Sequence, residues 1–208
     1  MKSETNGFLM VLAIIAVVVA LANVSFTSMK MADFKQKITG FASSSETGKV
    51  NITIATTVSI NMSRSNITWG NGTIDIGQQN STLYTSQENA AVLRGNWQTT
   101  NAKAFILDNV GNINCSLILS GGKSAYGLIG GTNPQYQWNV SNKDDGACAG
   151  GGALLNTWYD VNGSAKFCTQ FGIVANSLYI DILLTVPNDA NKTGEQTDII
   201  TASASTAG

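Results

Sequence analysis

The sequence predicts an α+β chain: a long hydrophobic N-terminal α-helix (residues 1–42), followed by an antiparallel β-sandwich of jelly-roll or immunoglobulin-like type (residues 43–208). Three observations lead there. An uninterrupted apolar run opens at Phe8. The hydrophobic period changes from helical to two-residue at Val50. From there on, short alternating stretches are separated by Gly-, Asn- and Ser-rich turns.

Every residue from Phe8 to Ala22 is apolar, and with Asn23 and Ser25 tolerated the run reaches Phe26. At about 1.5 Å per residue it spans roughly 28 Å, close to the hydrocarbon thickness of a bilayer. Its assembly candidates are Phe8, Leu12, Ile15, Val18, Leu21 and Phe26. Beyond it, Met31, Phe34, Ile38 and Phe41 recur at spacings of three and four, with Lys30, Asp33, Lys35 and Lys37 between them, and Gly40 is placed to cap the helix. Three roles fit the apolar run: a secretory signal cut after Ala20-Leu21-Ala22, a membrane anchor, or a helix buried against copies of itself. A signal has no need of the amphipathic continuation, so a retained helix of ~50 Å from about Gly7 to Thr39 is expected. Lys30, Lys35 and Lys37 would hold the following domain in the cytoplasm if the helix spanned a bilayer. That placement conflicts with the sequons described below, and the conflict vanishes if a basic leader has been lost from the start of the chain or if the helix ends up inside a protein assembly.

After a Ser/Thr/Gly-rich joint at 42–48, Val50, Ile52, Ile54, Val58, Ile60 and Met62 hold even positions, which predicts one long half-buried strand. Trp69 to Ile74 predicts a hairpin, because Asn71-Gly72 accepts the positive φ angles of a type I′ turn. Further strands are expected around Ile113–Leu119, Tyr136–Val140, Leu178–Val186 and Glu195–Ala204. No second helical pattern and no internal repeat occur. The tryptophans at 69, 97, 138 and 158 are expected in the core.

Charged residues are only 12% of the chain, 12 basic against 13 acidic, so nothing could neutralise a run of phosphates, and nucleic acid is excluded as a partner. With 43% apolar residues the chain can build a core. There is no histidine, which removes the commonest general base, the commonest zinc ligand and every His-activated nucleophile. No enzyme activity, cofactor or metal is expected. Asp189-x-Asn191-x-Thr193-Gly194 opens like a calcium loop, but Ile200 stands where the twelfth-position glutamate belongs, so a plain turn is expected. Asp144 and Asp145 before a glycine run are read as an ordinary loop, and Lys123-Ser124 as loop residues without the burial a Ser–Lys nucleophile requires.

The triplet Asn-x-Ser/Thr occurs ten times, at Asn23, Asn51, Asn61, Asn66, Asn71, Asn80, Asn114, Asn139, Asn162 and Asn191. With 21 Asn and 40 Ser plus Thr, chance supplies about four. Asn51, Asn61, Asn114 and Asn139 fall on the polar phase of their strands, where a glycan can project. All but Asn23, which lies in the apolar helix, are glycan candidates. The excess points to a heavily N-glycosylated secreted or surface protein. Outside the cell two of the three cysteines would pair. Cys115 is in phase with Ile113, Leu117 and Leu119 and so faces inward. Cys168 is out of phase with Phe167 and Phe171, and Cys148 sits in a loop, which makes Cys148–Cys168 the expected disulfide.

The apolar-then-amphipathic helix over residues 7–41, joined to a sequon-rich β domain of this size, resembles archaeal type IV pilin-like subunits, the pilins and the related archaellins. Met1-Lys2-Ser3-Glu4 is polar where members of that family are often apolar. The resemblance implies a filament whose hydrophobic core is the helix, held in the membrane before assembly, with a glycosylated β domain outside. The expectation is thus a homopolymeric extracellular structural subunit at an archaeal cell surface. Alternatives are a membrane-anchored surface or S-layer glycoprotein and a secreted fibre protein that donates a strand.

Overall fold

The apolar alternation from Leu178 to Val186 lies in the longest strand among the described residues. The computed structural model describes residues 10–11, 14–21, 55–149 and 154–207. Of these, 44% are in strands and bridges and 9% are helical. The chain divides into two units, Met1–Thr53 and Ile54–Gly208.

The second unit holds β1 (Ile60–Arg64), β2 (Asn80–Ser86), β3 (Asn89–Leu93), β4 (Phe105–Asn109), β5 (Cys115–Gly121), β6 (Gln135–Asn142), β7 (Cys148–Ala149), β8 (Tyr159–Asp160), β9 (Ser164–Phe171), β10 (Ser177–Pro187) and β11 (Ile200–Thr206). All pairings between these strands are antiparallel. Seven strands form one sheet, β1-β4-β10-β2-β3, with β6 on the other edge of β10 and β8 beyond it. The second sheet runs β11-β5-β9-β7. Alternation explains the contact between them. Leu178, Ile180 and Ile182 of β10, with Tyr136, Trp138 and Val140 of β6, meet Leu117, Leu119, Phe167 and Phe171 of β5 and β9 in one buried cluster. Fully burying each aliphatic or aromatic side chain contributes roughly 1.5–3 kcal/mol, so this shared core holds the two sheets together. A smaller cluster forms around Trp69, Leu83 and Ala102.

Several expectations require correction. The class is mainly β rather than α+β, and no long N-terminal helix is among the described elements. Helical residues there are 10–11 and 14–21. The rest of the expected helix, residues 1–9, 12–13 and 22–42, lies outside the described residues. A helical turn absent from the sequence reading, Ala125–Leu128, is capped by Ser124, whose Oγ accepts from the Gly127 N–H at 3.2 Å. Among the described residues the long first strand is confined to β1, and Val50, Ile52 and Ile54 lie outside them. Residues 55–59 leave the ladder because Ser59 O accepts from both Val110 and Gly111, and the Asn112 side chain takes the Thr57 N–H at 2.6 Å. The phase survives, with Ile60 and Met62 half-buried and Asn61 exposed.

Asn71-Gly72 makes no hairpin. Neither residue has positive φ, and the segment pairs instead with residues 94–101, through Gln98 N–H to Trp69 O, Asn96 N–H to Thr73 O and Asp75 N–H to Arg94 O. Gly72 is needed there for closeness: a Cβ would lie 2.3 Å from the Trp97 ring. The last strand begins at Ile200 rather than Glu195. Upstream, Thr197 O accepts from Lys123 Nζ at 2.6 Å and Asp198 Oδ2 accepts from the Tyr136 hydroxyl at 3.1 Å, so these residues brace loops. Burial, with that carboxylate second, holds the Tyr136 phenol well above its usual range.

The phase assignment can be tested with one residue from each sheet. Ile180→Ala, at a fully buried position, should cost about 2–5 kcal/mol. Ile118→Ala, on the open side of β5 at 39% exposure, should cost under ~1 kcal/mol in the same urea titration. Equal costs would show that the inward face of β5 has been misassigned.

Candidate functional surfaces

Four surfaces carry the sequence-derived residues. The first is the N-terminal segment. Residues 14–21 are helical and every one of them is exposed in the single chain. Ile15 is 56% exposed, Val18 59% and Leu21 62%. The remaining assembly candidates, Phe8, Leu12, Phe26, Met31, Phe34 and Ile38, lie outside the described residues. Among the described residues, no helix is long and apolar enough to cross a membrane.

The second surface is the set of sequons. Asn61, Asn66, Asn71, Asn114, Asn162 and Asn191 are exposed, whereas Asn80 and Asn139 are half-buried. Asn23 and Asn51 lie outside the described residues. The Asn66 amide donates to the Thr68 hydroxyl of its own triplet at 3.1 Å. Asn139 is different: its Oδ1 is enclosed and has no hydrogen-bond partner, and neither has Oγ of Ser141, the third residue of its triplet.

The third is the cysteine region. Cys148 and Cys168 form a disulfide with a Cα–Cα distance of 5.8 Å, fastening β7 to β9. The residues enclosed by its loop include Gly150–Gly152, which lie outside the described set. Cys168 does not face outward as its phase suggested; it is fully buried beside Phe167. The register between β5 and β9 slips twice, around Leu117, and a bulge of this kind puts two successive residues on one side. Cys115 is a free, fully buried thiol whose pKa burial pushes up.

The polar loops are internally occupied. Asp189 accepts from the Thr132 N–H at 2.9 Å and from its hydroxyl at 2.6 Å, which hold its carboxyl below the usual range. Asp144 accepts from the Asn176 N–H at 3.2 Å. Lys123 is turned to the Thr197 carbonyl and Ser124 caps a helical turn, so the two do not form a nucleophile pair. Among the described residues no group of three or more Cys, Asp or Glu is placed to hold a metal ion. Trp69 and Trp138 are buried, while Trp97 and Trp158 are half-buried.

The fourth surface was missed by sequence reasoning. On the face of the large sheet turned away from the core, Asp181 of β10 lies opposite Asn139 of β6, and Leu183 lies opposite Tyr84 of β2. With Leu93 and Trp158 these residues line a cavity of about 440 Å³. Asp181 is only 5% exposed. Its Oδ1 accepts from Thr85 Oγ1 at 2.8 Å and from the Gln87 N–H at 2.7 Å. Burial nonetheless outweighs those bonds and lifts its carboxyl above the usual range. The available signal was a single acidic residue in the middle of an otherwise apolar and hydroxyl-bearing strand. No protein-family model, curated protein or solved structure matches the chain.

Two outcomes follow. In native protein, iodoacetamide should label no cysteine; denaturation without reductant should expose Cys115 alone, and reduction should then release Cys148 and Cys168, as read by peptide mass. Closing a loop of that size stabilises by about 3 kcal/mol in the chain-entropy model, so reduction should lower the unfolding midpoint accordingly. The second outcome is a pH dependence. A carboxyl whose folded pKa is raised contributes stability fully below its unfolded value, about 3.9 for Asp, and loses it as pH rises through the folded value. Asp181→Asn keeps an acceptor for Thr85 and Gln87. It should therefore remove that part of the fall in melting temperature above pH ~4, measured by circular dichroism. An unchanged slope would contradict the burial assigned to Asp181.

Proposed function

We propose that this chain is the structural subunit of an extracellular filament, polymerising through its apolar N-terminal segment with the β domain outside and glycosylated. The observation that carries the reading is the run Ile14–Leu21. Eight successive helical residues, all apolar and all exposed in the isolated chain, wind more than two turns and so present apolar surface on every side. Water does not solvate such a surface without cost, and identical copies arranged head to tail supply the missing cover in an open helical assembly. The exposed sequons Asn61, Asn66, Asn71, Asn114, Asn162 and Asn191 support an outward, glycan-bearing role for the β domain. The likeness to archaeal pilins and archaellins agrees with both features.

Val18→Lys tests the proposal. A desolvated ammonium in a packed apolar interface costs several kcal/mol per subunit, so filaments in negative-stain images should disappear. The thermal unfolding of the β domain should not change. Filaments of normal length and number would overturn the reading. Loss of membrane fractionation, with no filaments from the parent chain either, would favour a lipid-anchored surface glycoprotein.

A further inference from the structure

We infer that the cavity on the outer face of the seven-stranded sheet binds a neutral carbohydrate, receiving one pyranose ring between Trp158 and Tyr84 with hydroxyls directed at Asp181 and Asn139. This does not depend on the filament reading. The cavity, about 440 Å³, falls within the ordinary range for small-molecule sites. Its chemistry is two-sided. Tyr84 and Trp158 are half-buried aromatics, and Leu93 and Leu183 add apolar wall. At its floor lie two directly opposed residues of the sheet, Asp181 and Asn139, the second of which carries an acceptor without a partner. Asn139 Oδ1 is enclosed without a partner, and the buried Asp181 receives Thr85 and Gln87 on the same carboxyl oxygen. An unpaired buried acceptor costs free energy that a ligand donor would recover.

A sugar ring matches this arrangement better than an ammonium ion. Its axial C–H groups pack on the electron-rich face of an aromatic ring, as the positive edge of another ring does. Its hydroxyls both donate and accept, so they serve Asp181 and Asn139 and also the hydroxyls of Thr82 and Ser86, which line the same cavity. An ammonium group only donates, so it offers no acceptor to the O–H hydrogens of Thr82 and Ser86. The ring has two possible sources: a free or foreign glycan, or the N-linked glycan of Asn139 itself folded back on Trp158.

Saturation-transfer NMR with methyl glycosides of glucose, mannose, galactose and N-acetylglucosamine, each up to ~10 mM, tests the site. Parallel titrations use the native glycoprotein and Ser141→Ala, which removes the Asn139 triplet together with an unpartnered buried hydroxyl. Binding to both proteins supports a site for free sugar; binding only to Ser141→Ala supports occupation by the Asn139 glycan. In either case Trp158→Ala should weaken binding by at least ~10-fold without shifting the melting temperature, since Trp158 belongs to neither core cluster. Three results would overturn the inference: no glycoside binding to either protein, binding unaffected by Trp158→Ala, or binding of tetramethylammonium with none of the sugars.

Discussion

The two-sided pairing of β10 is the constraint on which the β domain depends. Its eleven residues bond β4 and then β2 along one edge and β6 along the other, so three strands take their register from it. Its even-numbered residues supply the centre of the shared core, and its odd-numbered residues, Asp181 and Leu183, supply the floor of the outer cavity. A slip of one residue would exchange those two sets and place Asp181 among Leu117, Phe167 and Phe171. Burying an unpaired carboxylate there is costly enough to make the register single-valued. Thr85 reinforces it from the side, since its hydroxyl donates to Asp181 while accepting the Ile182 N–H at 2.9 Å.

The smaller sheet is secured differently. It has four strands, and β7 contributes only two residues. Backbone pairing of that length is weak, and the Cys148–Cys168 bond supplies what the ladder lacks. The buried Asn109 amide helps across the layers, donating to Phe171 O and to Ile113 O at 3.1 Å each. A broad hydrogen-bonded sheet and a covalently pinned one thus share the work of holding the domain.

Much of this was legible in the sequence wherever one face of a strand is apolar and the other polar. Tyr136, Trp138 and Val140, or Leu178 to Val186, announce both their strands and their inward sides. β2 and β4 were invisible for the opposite reason. Asn80-Ser81-Thr82-Leu83-Tyr84-Thr85 buries hydroxyl residues as well as Leu83, so apolar alternation is absent although the strand is half-buried. β9 was obscured by its bulge, which buries Phe167 and Cys168 together and makes the period locally wrong. The N-terminal expectation extrapolated helical spacing over more than thirty residues, whereas the described helical residues number far fewer. The candidate site was hidden because it is assembled across strands: Asp181, Asn139, Tyr84 and Trp158 are far apart in sequence and come together only through register.

The β domain has its own shared core, and on the proposal above association comes from the apolar N-terminal segment instead. Analytical ultracentrifugation of residues 54–208 beside the whole chain, at matched concentration and ionic strength, tests it most directly. The account requires the shorter chain to sediment as a folded monomer while the whole chain forms large assemblies. Polymers of residues 54–208 would contradict it, and would move the assembly surface onto the sheets themselves.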